Sequence, residues 1–581
     1  MGINNASKGL ARQMESEIQQ YLTEVVDDGN GHTFSTFKII KRIHLFENHV
    51  YPNGKFDSQG NYKYWFDIQS PRIDAEVKNV DFDTKDPFIY SDRKNDDLGC
   101  VICNIALREY LKNTGQAEEI NSAIEEGSGW GNVVWKRIKG SYERVDLRNF
   151  YVINQTARSL NQTPAIERHQ LTASEIRDKG EVWENVDYVL EGCKNKTYKT
   201  DIGSQEQDTT VPYYEMFERH GEVCVADLKE WQGERPGPKD HEKYVFARVI
   251  GAGTKGSNAG VEIKYIVFAE ELTGKTMSDI FKEYHRGRYK GRWWREGLYE
   301  LLFDLQVRAN AIGNQIAQGL ELASKHIYST EDKLIVQNVM SDLKNGDIIK
   351  ARGFQHVEVR MAAFDQLIAD WNRIITLAND IANSHEIVTG ESSPGQPFRM
   401  GALLDTNANK LFDFLREKFS IPFTQMFDEW IVPELIKDLK AKDILRLTGD
   451  VDMLMRFNIL IVEDWYRRNL LALPPHSPEQ AQMIKQAKLQ ELMSRPQARV
   501  KGLKALLADF KPHARVVISG ENNRVDIDLQ TYASFAQLEA DPVRRSAIIE
   551  LMMKKKGIDV GSLPKSDPGF APIPAPVGAG Q

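Results

Sequence analysis

Few residues of this chain have the type and spacing that chemistry requires. Cys100 and Cys103 form a C-x-x-C, which could serve as a redox pair or as half of a zinc site. A zinc site wants a second close pair, and the other two cysteines, Cys193 and Cys224, stand alone. The surrounding text DDLGCVICNIALREYL reads as an amphipathic helix, in which small thiols fill the core. Buried structural thiols in a reducing compartment, the cytoplasm at synthesis, are the expectation. Gly251, Gly253 and Gly256 in GAGTKGSNAG match G-x-G-x-x-G, a loop that cradles phosphate when it opens a helix. Here VEIKYIVF follows and alternates like a strand, so the glycines are expected to join two strands. The acidic pairs Asp81/Asp83 and Asp96/Asp97 read as solvated turns rather than acid–base dyads. No G-x-x-x-x-G-K-[ST], H-E-x-x-H or G-x-S-x-G occurs. The expectation is a chain without catalytic residues, metal or cofactor.

The densest positive charge lies in YHRGRYKGRWWRE. Arg286, Arg288, Lys290, Arg292 and Arg295 interleave there with Tyr289, Trp293 and Trp294. Cations for phosphate and rings for stacking would suit nucleic acid. Arginine and tryptophan also anchor subunit interfaces. The rest of the chain is acidic, which favours the interface, with DNA as the alternative.

The elements that must position these residues are spread over 581 residues, roughly four structural units. Hydrophobic residues are 41% and charged residues 27%, ordinary globular usage with enough apolar material for a core. A net charge of −8 argues against tight DNA binding as the main task. No stretch approaches the ~18 apolar residues of a membrane span. The N-terminus lacks a signal-peptide core, and Ala6 stands where a myristoylation pattern wants Ser or Thr. A secreted or membrane-spanning protein is not expected.

A helical pattern runs from Leu10 to Val26, followed by turn-rich text to residue 60. Residues 61–290 mix strands and helices. VDFDTKDPFIYSD reads as strand and turn, while CVICNIALREYLKN and QAEEINSAIEEGSGW read as helices. Hairpins are expected around Lys139-Gly140 and around His220-Gly221, and a third between KYVFARVI and VEIKYIVFAEEL. From residue 297 the period becomes helical. Leu302, Leu305, Ala309, Ile312, Ile316, Leu320 and Ala323 trace one face, and Gln306, Asn310, Asn314 and Gln318 recur at i+4 on the opposite one. A short mixed insert, 325–360, separates this helix from a second one. On that helix Phe364, Leu367, Ile368, Trp371, Ile375, Ala378 and Ala382 share a face. The two helices would be roughly 39 and 35 Å long, suggesting an antiparallel pair with the insert at its tip. HEIVTGESSPGQPFRMGA breaks the helix. GALLDTNANKLFDFLREKF resumes one that Pro422 stops or kinks. FTQMFDEWIVPELIKDLK is another helix. DILRLTG and DMLMRFNILIVEDWY read as strands, the second running on towards helix. SPEQAQMIKQAKLQELMSR is a helix capped by Ser477 with Pro478 at its first position. ARVVISGENNRVDIDL reads as a hairpin, and the tail from Pro564 as low-complexity text.

Taken together, these pieces resemble the portal proteins of tailed double-stranded DNA bacteriophages. The resemblance covers roughly residues 70–440 and rests on order rather than on any tight motif. It is carried in turn by VDFDTKDPFIY, by GSGWGNVVWKRIKGSYERVDLRNFYVINQTARSLNQTPAIERHQLT with its Glu-Arg-His strand, by GRWWREGLYELLFDLQVRANAIGNQIAQGL, by the helix–insert–helix, and by HEIVTGESSPGQPFRMGALLDTNANKLFDF. The resemblance implies an α+β portal fold. Its parts are an N-terminal arm (1–60), a wing (61–296), a first stem helix (297–324), a clip (325–360) and a second stem helix (361–389). A tunnel loop (390–401), a tunnel helix with wing return (402–476), a helical C-terminal crown (477–560) and a disordered tail (561–581) complete it.

The resemblance also implies a function: a ring of identical chains, a dodecamer in the family, at one capsid vertex of the virion, assembled in the host cytoplasm. Double-stranded DNA passes through such a ring during packaging and ejection. Terminase, the major capsid protein or scaffold, and head–tail adaptor or tail proteins would be partners; no membrane is involved. The implied tunnel loop contains Glu391, Ser392, Ser393, Pro394, Gln396, Pro397, Phe398 and Arg399, one ionisable group of each sign, able to touch DNA without gripping it. An ordinary helix connector is the alternative reading of those residues. Gln306, Asn310, Asn314, Gln318 and Trp371 would pack the stem between neighbours, with a plain solvent face as the alternative for the amides. Lys333, Lys344, Asn345 and Lys350 would dock partners at the clip. The competing functions are another ring-forming head–tail adaptor and a nucleic-acid-processing enzyme.

Overall fold

Helices and strands intermix in the first half of the chain, and helices dominate the described residues of the second. The computed structural model describes residues 8–27, 33–57, 60–80, 87–90, 97–139, 141–198, 207–255, 260–324, 328–329, 331, 355–356, 364–383, 398–438, 455, 458–459, 461–463, 465–466, 469, 477–495 and 513–516. Over these residues the chain is α+β. Helix α1 (Lys8–Thr23), the short pair β1 (Val26–Asp27) and β2 (Thr33–Phe34), and helices α2 (Thr36–Glu47) and α3 (Ser70–Val80) come first. Strand β3 (Pro87–Tyr90) precedes α4 (Asp97–Thr114) and α5 (Gln116–Trp130). Then follow β4 (Asn132–Ile138), β5 (Ser141–Arg144), β6 (Phe150–Val152), β7 (Ala165–Thr172), α6 (Ala173–Asp178), α7 (Val186–Gly192) and β8 (Asn195–Tyr198). Next come β9 (Gln207–Cys224), α8 (Val225–Trp231), β10 (Tyr244–Lys255), β11 (Val261–Glu271), α9 (Met277–Ile280) and β12 (Phe281–His285).

Two sheets organise this half. One has the order β11-β10-β9-β7-β6 with β8 on β9; the other is β12-β4-β5. Ile138 pairs with Ser141, so β4 and β5 form the hairpin its sequence suggests; Gly140 itself lies outside the described residues. His220-Gly221 is not a turn. Strand β9 runs straight through it, because β7 and β10 hydrogen-bond it on both sides, and α8 rather than a return strand follows. Gly251 and Gly253 lie inside β10 at register shifts against β11. A Cβ at Gly253 would crowd Phe217 and one at Gly251 would crowd Ile263, so close packing rather than phosphate requires these glycines. Helix α1 covers this sheet; Leu10, Met14, Ile18 and Tyr21 pack with Phe217, Val249 and Ile266. Helix α2 stands where turn-rich text is expected, and it buries Ile40, Ile43 and Phe46.

The second half contains α10 (Leu298–Leu301), α11 (Phe303–Ser324), β13 (Tyr328–Ser329), β14 (Gln355–His356) and α12 (Phe364–Ala382). Strands β13 and β14 pair antiparallel, so the insert between α11 and α12 is closed at its base. Helices α11 and α12 pack through Ala309, Ile312, Ile374 and Ala378, with Leu302 just before α11 in the same cluster and Arg308–Asp370 at 2.8 Å. Helix α13 (Phe398–Met426) continues past Pro422 into a π-helical turn, Phe427–Ile431, and α14 (Val432–Asp438). Phe412, Leu415, Phe419 and Phe423 bring α13 into a core shared with Trp135, Tyr142 and Tyr284. The described residues between 455 and 469 are helical, where alternation suggested strand. Helix α15 (Pro478–Ser494) has the expected Ser477 cap, closed by Gln480. Strand β15 (His513–Val516) pairs with β3, more than four hundred residues away. No helix among the described residues is long and apolar enough to cross a membrane.

Candidate functional site

One polar constellation among the described residues lies outside the sites the sequence suggests. Two Glu-Arg-His tripeptides, 167–169 on β7 and 218–220 on β9, lie on neighbouring antiparallel strands with Glu167 directly opposite Glu218. Alternation sends each Glu and His to one face of the sheet and each Arg to the other. Arg219, 1% exposed, makes a two-pronged bond to Glu17 of α1 at 2.7 and 2.8 Å, and Arg168 binds Glu215 at 2.6 Å. Like charges directly opposite destabilise a sheet. Here Lys136 of β4 reaches across from the other sheet and bonds Glu167 Oε2 at 2.7 Å and Glu218 Oε2 at 2.6 Å. His169 Nε2 lies 3.0 Å from Glu218, and Arg248 Nε donates to Glu218 Oε1 at 2.7 Å.

Burial opposes the charge on Glu218, but His169, Lys136, His220 and Arg248 outweigh it and hold its carboxyl well below the usual range. Burial also opposes the Lys136 ammonium, and the two carboxylates overcome it, raising its pKa. Burial pushes the His220 imidazole down to about 3, so it is neutral at pH 7.

A cleft of about 810 Å³ opens over this knot. Glu167, His169 and Glu218 offer ligand atoms within 4.8 Å of one another, a geometry that would suit a divalent cation. The Lys136 ammonium already sits at the point where the two carboxylates converge. It is the cation of this site, and the knot joins the two sheets. The repeated tripeptide is the one signal in the sequence that could have pointed to it.

The arginine–tryptophan segment turns inward, which corrects the reading of Arg292, Trp293, Trp294 and Arg295 as anchors of a subunit interface or DNA site. Trp293 and Trp294 are 2% and 0% exposed and belong to the core with Trp130, Phe150 and Phe281. Trp293 Nε1 donates to Glu283 at 2.8 Å. Arg286 makes a two-pronged bond to buried Glu76, both contacts 2.7 Å. Arg292 pairs with Glu300 at 2.7 Å, and Lys290 with Glu296 at 2.5 Å. Arg295 donates to the carbonyls of Arg292 and Arg158 and lies over the Tyr289 ring. From α13, Lys418 Nζ donates to the carbonyls of Arg286 and Gly287. Burial, with Arg295 and Arg286 nearby, pushes that ammonium down to about 8. Only Arg288, Tyr289 and Lys290 of the segment are exposed.

The amide row on α11 is also engaged within the chain, which corrects the expectation that a neighbouring subunit or plain solvent covers it. Residues 60–68 run along the helix as an extended strap. Tyr64 N donates to Asn314 Oδ1 at 2.8 Å, Phe66 N to Asn310 Oδ1 at 2.8 Å, and Ile68 N to Gln306 Oε1 at 2.9 Å. In return Gln306 donates to Phe66 O and Asn314 to Tyr64 O, at 2.6 and 2.9 Å. Gln318 donates to Asp57 at 3.0 Å. The match is metric: four helical residues rise about 6 Å and two extended residues span nearly 7 Å. Phe66 sits over Gly313, where any Cβ would overlap its ring, and edge-on to Trp371 at 5.7 Å. The i+4 spacing was visible in the sequence; its partner, some 240 residues earlier, was not.

Phe398 and Arg399 belong to the first turn of α13 rather than to a loop, since the helix starts directly after Pro397. Glu391, Ser392, Ser393, Pro394, Gln396 and Pro397 lie outside the described residues, as do Lys333, Lys344, Asn345 and Lys350. Scans of the chain against protein-family models and against curated proteins return no match.

Proposed function

We propose that the chain is a portal protein, whose copies form a ring around a channel for double-stranded DNA. The observation that carries this reading is the order of the elements. A mixed body of two sheets leads into the α11–α12 pair, with an insert closed at its base by β13–β14. The 29-residue helix α13 then returns into the core of the body beside β4. That is the order of wing, stem, clip, stem and tunnel helix. The charge balance supports it too. A conduit has to let DNA slide, and a chain of net charge −8 neutralises few phosphates. The segment between α12 and α13 would face the channel, and the insert between α11 and α12 would meet terminase and later the adaptor. An enzyme reading finds no support in the Glu167–His169–Glu218 cluster, whose centre Lys136 fills.

Negative-stain imaging of the purified chain tests the proposal. Closed rings with a central hole are expected. A monomer that cleaves DNA in the presence of a divalent cation would overturn it.

A further inference from the structure

The cleft over the knot lies between the β4–β5 hairpin and the face of β7, β9 and β10, and its volume of about 810 Å³ is that of a small-molecule site. Lys136, Glu218 and Arg248 of the knot line it together with His220. His220 is 2% exposed, and its Nδ1 has no hydrogen-bond partner among the described residues. Burial keeps the ring neutral, so one nitrogen carries a proton and the other a lone pair. Nε2 lies 3.6 Å from Glu218 Oε1, and that carboxylate draws the proton to Nε2. Nδ1 is therefore an acceptor that lacks a donor. A buried acceptor in that state is costly, and the cleft is the open side from which a donor can arrive.

The charges around the cleft add a second requirement. Six cationic side chains and four carboxylates line it, on a chain whose net charge is −8. Two of the carboxylates are committed. Glu218 accepts from Lys136 and Arg248, and Asp279 accepts from the amide and hydroxyl of Thr276 at 2.7 and 2.8 Å. The other two, Glu143 and Glu270, stand in register opposite Lys136 and Arg248. Arg137 leans towards Glu434 of α14, 3.8 Å away. The surplus is Lys139, Lys179 and Lys275, exposed at the rim on three separate segments. Ammonium groups are point charges, and three of them around one mouth suit a phosphate. An occupant that meets both requirements brings a phosphate and a hydroxyl on one small molecule.

We propose that this cleft binds a small phosphate ester bearing hydroxyl groups, of the sugar-phosphate or nucleotide kind. Its phosphate lies among Lys139, Lys179 and Lys275, and a hydroxyl donates to His220 Nδ1. This site goes beyond the ring reading and does not depend on it. Calorimetric titration of the full chain tests it, with ribose 5-phosphate, adenosine monophosphate, ribose and inorganic phosphate as probes. Ribose 5-phosphate should bind about tenfold or more tightly than inorganic phosphate, and ribose should give no heat. Tighter binding of adenosine monophosphate would identify the nucleotide as the source, and equal binding the sugar phosphate. Lys139→Ala with Lys275→Ala changes only exposed side chains; it should keep the parent melting temperature and weaken the esters about tenfold or more. His220→Phe, its folding verified by a thermal melt, should erase the preference for ribose 5-phosphate over inorganic phosphate. Absence of heat with both esters at millimolar concentration would overturn the proposal. So would ester binding that the double lysine variant leaves undiminished, or inorganic phosphate that binds the parent chain as tightly as the esters.

Discussion

Segment 286–295 and the hairpin 51–64 both interleave cations with aromatic rings, yet one is interior and the other lies open. In the first, Trp293 and Trp294 are sealed in a core, and Arg286 and Arg292 meet carboxylates brought by α3 and α10. In the second, Phe56, Tyr62 and Tyr64 stand half in water, and the Lys63 ammonium lies over the Tyr51 ring. Composition alone does not separate the two cases. The separation comes from counter-charges: a cation goes inside only where the fold supplies a carboxylate or carbonyl to replace its water. Lys136 follows the same rule, crossing between sheets to two glutamates that would otherwise repel each other.

The sharpest way to break this contrast is to remove what makes the interior segment interior. Trp294→Ala should cost about 3–5 kcal/mol and lower the melting temperature steeply, because a fully buried indole leaves a cavity. An unchanged melt together with smaller oligomers would return the segment to the surface. Lys136→Met should cost about 3–5 kcal/mol by stranding Glu167 against Glu218, and adding Glu167→Gln with Glu218→Gln should recover most of it. Acid should spare the knot at first. The carboxyl of Glu218 is depressed, so its contribution is present above the unfolded carboxylate range and is lost only as pH falls through its lower folded value. Thermal melts of the parent and the triple variant between pH 7 and pH 3 read the difference.

Smaller effects should mark the strap. Gly313→Leu would collide with Phe66, lift the strap from α11 and cost about 1–3 kcal/mol, read as faster proteolysis between residues 48 and 68. Asn310→Leu removes an acceptor for Phe66 N and should cost about 1–2 kcal/mol by the same assay. Smallest of all, Arg288→Ala should change stability by less than about 0.5 kcal/mol, since its side chain is exposed, unlike those of Arg286 and Arg292 in their buried pairs. A larger loss there would show that the segment has a partner outside its own chain.

Local order was legible in the sequence because it is dictated by neighbours. Periodicity revealed α4, α5, α11, α12 and α15, alternation revealed β10 and β11, and the β4–β5 hairpin and the Ser477 cap lay where their residue chemistry places them. The same local rules failed where distant elements outvoted them. His220-Gly221 has turn chemistry, but two flanking strands hold it extended. The missing donor at Pro422 predicts a stop or a kink; the stop does not occur, and the helix runs on to Met426 before the π-helical turn Phe427–Ile431.

What the sequence determined by itself was therefore the residues able to pair, such as the amide row at i+4 and the twice-written Glu-Arg-His. Only the tertiary structure decided with what they pair. The amides took a backbone strap some 240 residues away, the glutamates took Lys136 from another sheet, and the tryptophans took the core. The physical reason is that hydrogen bonds and ion pairs are short-ranged. Their partners exist only once the chain has brought remote segments within about 3 Å, and no spacing along one segment encodes that meeting.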